Sequence, residues 1–162
     1  HWLHHPQQGG GVILGEACHH IDFCNFLVGS APESVTARYL QGEGKGSFIP
    51  EDNAHISLSY GDGSVATIAY LSNGSKAWST EWVEVFCDGR AASLQDFKKL
   101  SLSQGLSVRN KRLWVTSGKG HAGQIDAFLA AIRSGQHDSI PSQSHIESSR
   151  IAIDAALQVR GN

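Results

Sequence analysis

Three glycine-bearing turn signals, Gly61-Asp62-Gly63, Asp88-Gly89 and Gln104-Gly105, punctuate the middle of the chain between short segments of strand-forming residues. An Asp-Gly pair between such segments supplies the positive φ that a two-residue hairpin needs, so neighbouring strands must run antiparallel. The segments expected as strands are Ser34 to Leu40, His55 to Tyr60, Ser64 to Leu71, Trp82 to Cys87, Ala91 to Phe97, Leu100 to Ser103 and Leu106 to Val115. Helices flank this run. Ala17, Ile21, Cys24 and Val28 recur at helical spacing over Glu16 to Leu27, Gly29 sits where a helix stops, and Pro32 prevents its resumption. Two more helices are expected near the C-terminus, His121 to Arg133 ending at Gly135, and His145 to Val159 with Ser144 and Glu147 at capping-box spacing. The pattern is α+β, a predominantly antiparallel open sheet with helices packed on one face. With 162 residues and 40% hydrophobic content, the expectation is one domain with a real core, to which Trp78 and Trp82 are assigned ahead of the alternative that they anchor a dimer interface on a sheet face.

The chemistry concentrates near the start. Gly9-Gly10-Gly11-Val12-Ile13-Leu14-Gly15-Glu16-Ala17-Cys18-His19-His20-Ile21-Asp22 runs from a glycine loop into the first helix. Glycines let backbone approach a ligand closely, and the first turns of the helix then present His19 beside that loop. Glu16 lies at i−3 and Asp22 at i+3 from His19, and a histidine titrating near neutrality can remove a hydroxyl proton. His19 and Glu16 are therefore the candidate catalytic pair. Gly10, Gly11, Asp22, Asn73, Lys76 and His121 are the candidate substrate-binding residues, with Asp22 a partner rather than a proton carrier. Ser72, Asn73 and Lys76 form a polar loop after a strand, and Lys119 and His121 stand at the head of a helix.

These residues resemble the second half of the Gfo/Idh/MocA family of nicotinamide-dependent sugar oxidoreductases. Gly9, Gly10 and Gly11 match the family's glycines, His19 its catalytic histidine and Asp22 its final aspartate; Gly15 stands where most members carry the first aspartate, and Glu16 is the nearby carboxylate that could replace it. The likeness continues through Asp52-Asn53, Asp62-Gly63-Ser64-Val65, Ser72-Asn73-Gly74, Glu81 to Phe86 and Lys119-Gly120-His121. It implies a substrate-binding and oligomerisation domain, a fragment of a larger enzyme, acting on a sugar, inositol or related polyol. It also implies a homodimer or higher homo-oligomer, and an N-terminal nucleotide-binding domain as partner. The cofactor, NAD or NADP, belongs to the full-length enzyme. No Gly-x-Gly-x-x-Gly follows a strand here, so this chain alone is expected to bind neither and to be inactive. The Gly15 departure leaves a second reading open, a non-enzymatic dimerisation or carbohydrate-binding module of the same fold.

Other function classes fit poorly. Thirteen Lys and Arg against fifteen Asp and Glu, a net charge of −2, form no basic stripe for nucleic acid. No apolar run is long enough to cross a membrane. Cys18, Cys24 and Cys87 are an odd number without paired spacing, and Cys18 and Cys24 lie about 9 Å apart along a helix, so all three are read as reduced, buried thiols of a cytoplasmic protein. Among nine histidines, His1, His4, His5, His19 and His20 invite a metal reading, but adjacent helical histidines point about 100° apart and no metal is assigned. Gly44-Lys45-Gly46-Ser47 and Gly118-Lys119-Gly120 lack the phosphate-loop spacing and are read as connections.

Overall fold

The computed structural model describes residues 10–41, 52–112, 120–135 and 142–160. Contacts divide the chain into two compact units, His1–Asn73 with Ile140–Asn162, and Gly74–Ser139. Among the described residues every strand pair is antiparallel, as the turn chemistry requires, and the strands fall into a sheet of three and a sheet of four.

The first unit opens with a five-residue π-helical turn, Ile13–Ala17, that passes directly into α1, Cys18–Val28. The sequence reading has a continuous α-helix from Glu16. Instead the Cys18 N–H reaches back to the Ile13 carbonyl, a one-residue widening that apolar spacing does not encode. α1 ends as expected at Gly29, whose φ of 85° only glycine adopts cheaply and whose N–H closes on the Asn25 carbonyl at 2.8 Å.

Three strands follow, β1 (Ser34–Tyr39), β2 (Asn53–Ser59) and β3 (Val65–Leu71), in spatial order β1-β2-β3. Their register stacks side chains in rows across one face: Val35 with Leu58 and Ala66, Ala37 with Ile56 and Ile68, and Tyr39 with Ala54 and Tyr70. That face carries the core, together with Ile13, Ala17 and Ile21 from the first helical segment and Ile151, Ala152, Ala155 and Ala156 from α3 (Ser142–Arg160). Ile13, Ile21, Ile56 and Leu58 are fully buried, each worth about 1.5–3 kcal/mol of transfer free energy. The small alanines of α3 let that helix lie close against β1 and α1. α3 starts at Ser142, so Ser144 lies inside the helix rather than capping it, and Glu147 accepts a 2.9 Å hydrogen bond from the Gln143 side chain. The β2–β3 hairpin forms at the Asp-Gly signal: Gly63 has φ 86°, and the Asp62 carboxylate accepts from the Ser64 amide and hydroxyl at 2.9 and 3.0 Å. Those two bonds hold the exposed Asp62 carboxyl below the usual carboxylate range.

The second unit contains β4 (Trp82–Cys87), β5 (Arg90–Gln95), β6 (Lys99–Gln104) and β7 (Ser107–Arg112), joined by consecutive hairpins, and then α2 (His121–Ser134). Its β5–β6 turn is made by Asp96 and Phe97 at φ 50° and 54°. The Asp96 carboxylate accepts the amides of Thr80 (2.9 Å) and Glu81 (3.2 Å), which hold it in ionised form and tie the segment before β4 to the turn. Trp78 and Trp82 are 75% and 54% exposed, not core. Alternation within β4 sends Trp82 to the face opposite Val83, and Trp78 precedes the strand.

Candidate active site

Gly10 and Gly11 both have left-handed φ, 80° and 81°. A Cβ at Gly10 would come within 2.7 Å of Leu14 Cδ1, and one at Gly11 would lie 3.6 Å from the Tyr39 hydroxyl, so glycine is required by conformation at both and by space at the first. This bend delivers the chain into the π turn that carries Glu16, and one turn later α1 carries His19 and His20.

The two histidines point differently, as their 100° offset requires. His19 is exposed, and among the described residues its imidazole has no hydrogen-bond partner. His20 is half-buried, its ring meeting Tyr70 edge to face at 6.2 Å and 78°, with Nδ1 3.4 Å from the Glu16 carbonyl. Glu16 is half-buried and makes no hydrogen bond to His19; its charge instead falls on Tyr70, whose phenol burial, then Glu16, then Asp52 push above its ordinary range. Burial likewise pushes the Cys18 thiol up, with Glu16 and Asp22 as smaller causes. The structure therefore gathers Glu16, His20, Tyr70 and Asp52 on the sheet side of the helix and leaves His19 facing outward.

Asp22 is taken up by a chain of hydrogen bonds. The Tyr60 hydroxyl donates to Asn25 Oδ1 (3.0 Å), Asn25 Nδ2 donates to Ser148 Oγ (3.1 Å), and Ser148 Oγ donates to Asp22 Oδ1 (2.8 Å). Tyr60 and Ser148 are buried, and burial, with Cys24 a lesser cause, raises the Tyr60 phenol to about 12. This network locks α1 to α3 and to the end of β2, and it gives Asp22 an anchoring contact that i+3 spacing alone does not reveal. The sequence reading gives Asn25 and Ser148 no role and places Tyr60 only as a strand residue, because their partners are up to 126 residues away.

Asn53, read in the sequence only as part of the Asp52-Asn53 likeness, is fully buried at the start of β2, and its Oδ1 accepts the amides of Ser72 (2.8 Å) and Asn73 (3.4 Å). The exposed turn bearing Asn73 is thus tied to the sheet by one buried amide. The signal the sequence offered for it was the Asp52-Asn53 pair of the family likeness. Lys76 and His121 are exposed and belong to the second unit, His121 opening α2 behind Gly120 at φ 75°. The histidines at positions 1, 4 and 5, the Gly44–Ser47 segment and Lys119 fall outside the described residues. Among the described residues no group of three His, Cys, Asp or Glu side chains could hold a metal ion. The three cysteines are free; Cys18 and Cys24 are partly buried and Cys87, expected inside, is exposed at the end of β4. No described helix is long and apolar enough to cross a membrane.

A family model described as "Oxidoreductase family, C-terminal alpha/beta domain" matches residues 1–154. No curated protein matches the chain. Among solved structures, the chain is similar to a UDP-N-acetylglucosamine 3-dehydrogenase from Acidithiobacillus ferrooxidans (TM-score 0.74, 20% identity), covering 93% of this chain and 48% of that one. It is also similar to an aldose-aldose oxidoreductase from Caulobacter crescentus complexed with glycerol (TM-score 0.79, 13% identity, covering 99% and 49%). A third is a biliverdin reductase from Synechocystis sp. PCC 6803 in complex with biliverdin and NADP+ (TM-score 0.74, 16% identity, covering 99% and 50%). At these identities the likeness establishes the fold, and the chain spans about half the length of each.

Proposed function

The chain belongs to the Gfo/Idh/MocA oxidoreductase family as its C-terminal α/β domain, and from that premise we propose that it is the substrate-binding half of a nicotinamide-dependent oxidoreductase acting on a sugar or related polyol hydroxyl. The observation that carries the reading is His19: exposed on the first turn of α1, directly after the left-handed glycines, with an imidazole unpartnered among the described residues. In the reaction the His19 imidazole takes the O–H proton of the substrate carbinol, whose C–H hydride a bound nicotinamide would accept. The bound dinucleotide supplies hydride acceptance and nothing else in this scheme. Its crevice is built at the carboxyl ends of parallel strands, whereas every described strand pair here is antiparallel, so an N-terminal nucleotide-binding domain is the partner that holds it. Gly10 and Gly11 make the bend that delivers the chain to His19, and the Ser72–Asn73 turn offers hydroxyl partners. Glu16 shapes the field on the sheet side rather than touching His19.

The substrate class is supported by two of the neighbours, named for a UDP-sugar and for aldoses, while the third is named for biliverdin. The test is reduced-nicotinamide formation by the full-length protein with NAD+ and NADP+ against UDP-N-acetylglucosamine, inositol and a series of aldoses. Turnover of at least one is expected; no turnover of any, with the protein folded, overturns the reading. A homodimer or higher homo-oligomer is part of the same proposal, supported by exposed Trp82, Phe86 and Val108 on one face of the second sheet. A monomeric mass by light scattering at tens of micromolar would remove that part.

A further inference from the structure

Among the described residues β1 is an edge strand of its sheet. Leu40 donates its N–H to the Asn53 carbonyl at 2.9 Å, in line with the β1–β2 register, so the even-numbered residues of β1 turn their backbone groups towards β2 and the odd-numbered ones turn theirs outward. Two of those outward groups are occupied. The Ala37 N–H donates to Gln158 Oε1 at 3.0 Å, and Gln158 Nε2 donates to the Val35 carbonyl at 2.8 Å. A primary amide offers one acceptor and two donors on a planar group, the same functions that a residue of a neighbouring strand would present. Gln158 is held there by α3, whose Ala155 and Ala156 pack in the core one turn earlier.

We propose that Gln158 is an edge latch, a side-chain amide standing in for a fourth strand, and that the occupant it excludes is β1 of a second copy of this chain. An unfilled edge is a template for pairing with another strand. β1 reads Ser-Val-Thr-Ala-Arg-Tyr, and antiparallel self-pairing centred on Thr36 sets Val35 against the partner's Ala37, Thr36 against the partner's Thr36 and Ser34 against the partner's Arg38. No like charges oppose each other, and Thr36 meets the partner's Thr36 as a β-branched pair. In that register the Ala37 N–H would bond to the carbonyl of the partner's Val35 and the Val35 carbonyl to the amide of the partner's Ala37. These are the same two groups that Gln158 now fills, so latch and self-pairing are mutually exclusive.

The experiment compares Gln158→Leu, Gln158→Asn and Gln158→Glu with the wild-type chain. Leu removes both functions, Asn is too short by one methylene to span them, and Glu keeps the acceptor for Ala37. Amide exchange by NMR, at a dilution where the mass equals that of the wild type, is expected to speed up at Ala37 by about tenfold in the Leu and Asn variants and to change little in Glu. At higher concentration, light scattering is expected to show the Leu and Asn variants rising in mass above the wild type. Adding Val35→Pro, which removes an outward N–H without touching the β2 ladder, should abolish the rise. Unchanged Ala37 exchange in the Leu and Asn variants, an unchanged mass, or association that survives Val35→Pro overturns the proposal. If Leu does not fold, Asn carries the test.

Discussion

His19 and His20 are neighbours in sequence with opposite surroundings, one facing outward and one wedged against Tyr70. That difference makes a sharp residue-scale prediction. In the full-length enzyme, His19→Ala is expected to lower kcat by about 10² to 10⁴, the usual contribution of a positioned acid-base group, with cofactor affinity little changed. His20→Ala leaves chemistry nearly intact and acts through lost packing on Tyr70. Steady-state kinetics on both variants checks this, and near wild-type turnover by His19→Ala would exclude it as the proton carrier. The triple glycine and the histidines were legible in the sequence because they are local. What Glu16 does was not legible: the π turn alters its phase relative to α1, and its charge lies on Tyr70, some fifty positions away in the chain.

Each element of the first unit is locally simple and is fixed in place by a few polar side chains. Asn53 has the clearest such role, since one buried oxygen accepts both amides of the turn that follows β3. Asn53→Ala leaves those donors without their partner inside the protein and is expected to cost about 1–3 kcal/mol, read as a lower urea midpoint with an unchanged slope. The loss should appear first as faster amide exchange at Ser72 and Asn73. An unchanged midpoint and unchanged exchange would mean that the turn holds itself. Element boundaries followed the sequence wherever a turn residue set them, as at Gly29, Gly63 and Gly135. They departed where hydrogen bonding decided, as at the π turn before α1 and at Ser142, two residues ahead of the expected cap at Ser144.

At the scale of the whole molecule, the strands among the described residues pair antiparallel throughout, whereas the crevice in which a dinucleotide lies is built at the ends of parallel strands. Calorimetric titration of this chain with NAD+ and NADP+ is accordingly expected to give no micromolar affinity, and a measured one would place the cofactor site here after all. The sequence by itself determined the antiparallel α+β class, the hairpins at Asp62-Gly63 and Asp88-Gly89, the stop at Gly29 and the placement of His19 behind the glycines. All of these rest on φ preferences and on spacings of a few residues. Tertiary structure alone decided that the strands divide between two sheets, that Trp78 and Trp82 stand exposed, that Ser148 holds Asp22, and that Gln158 closes the edge of β1. Those outcomes depend on groups more than a hundred positions apart, or on which face a neighbouring element covers. Local periodicity carries no record of either, because a hydrogen bond between distant residues leaves each residue's own neighbourhood unchanged.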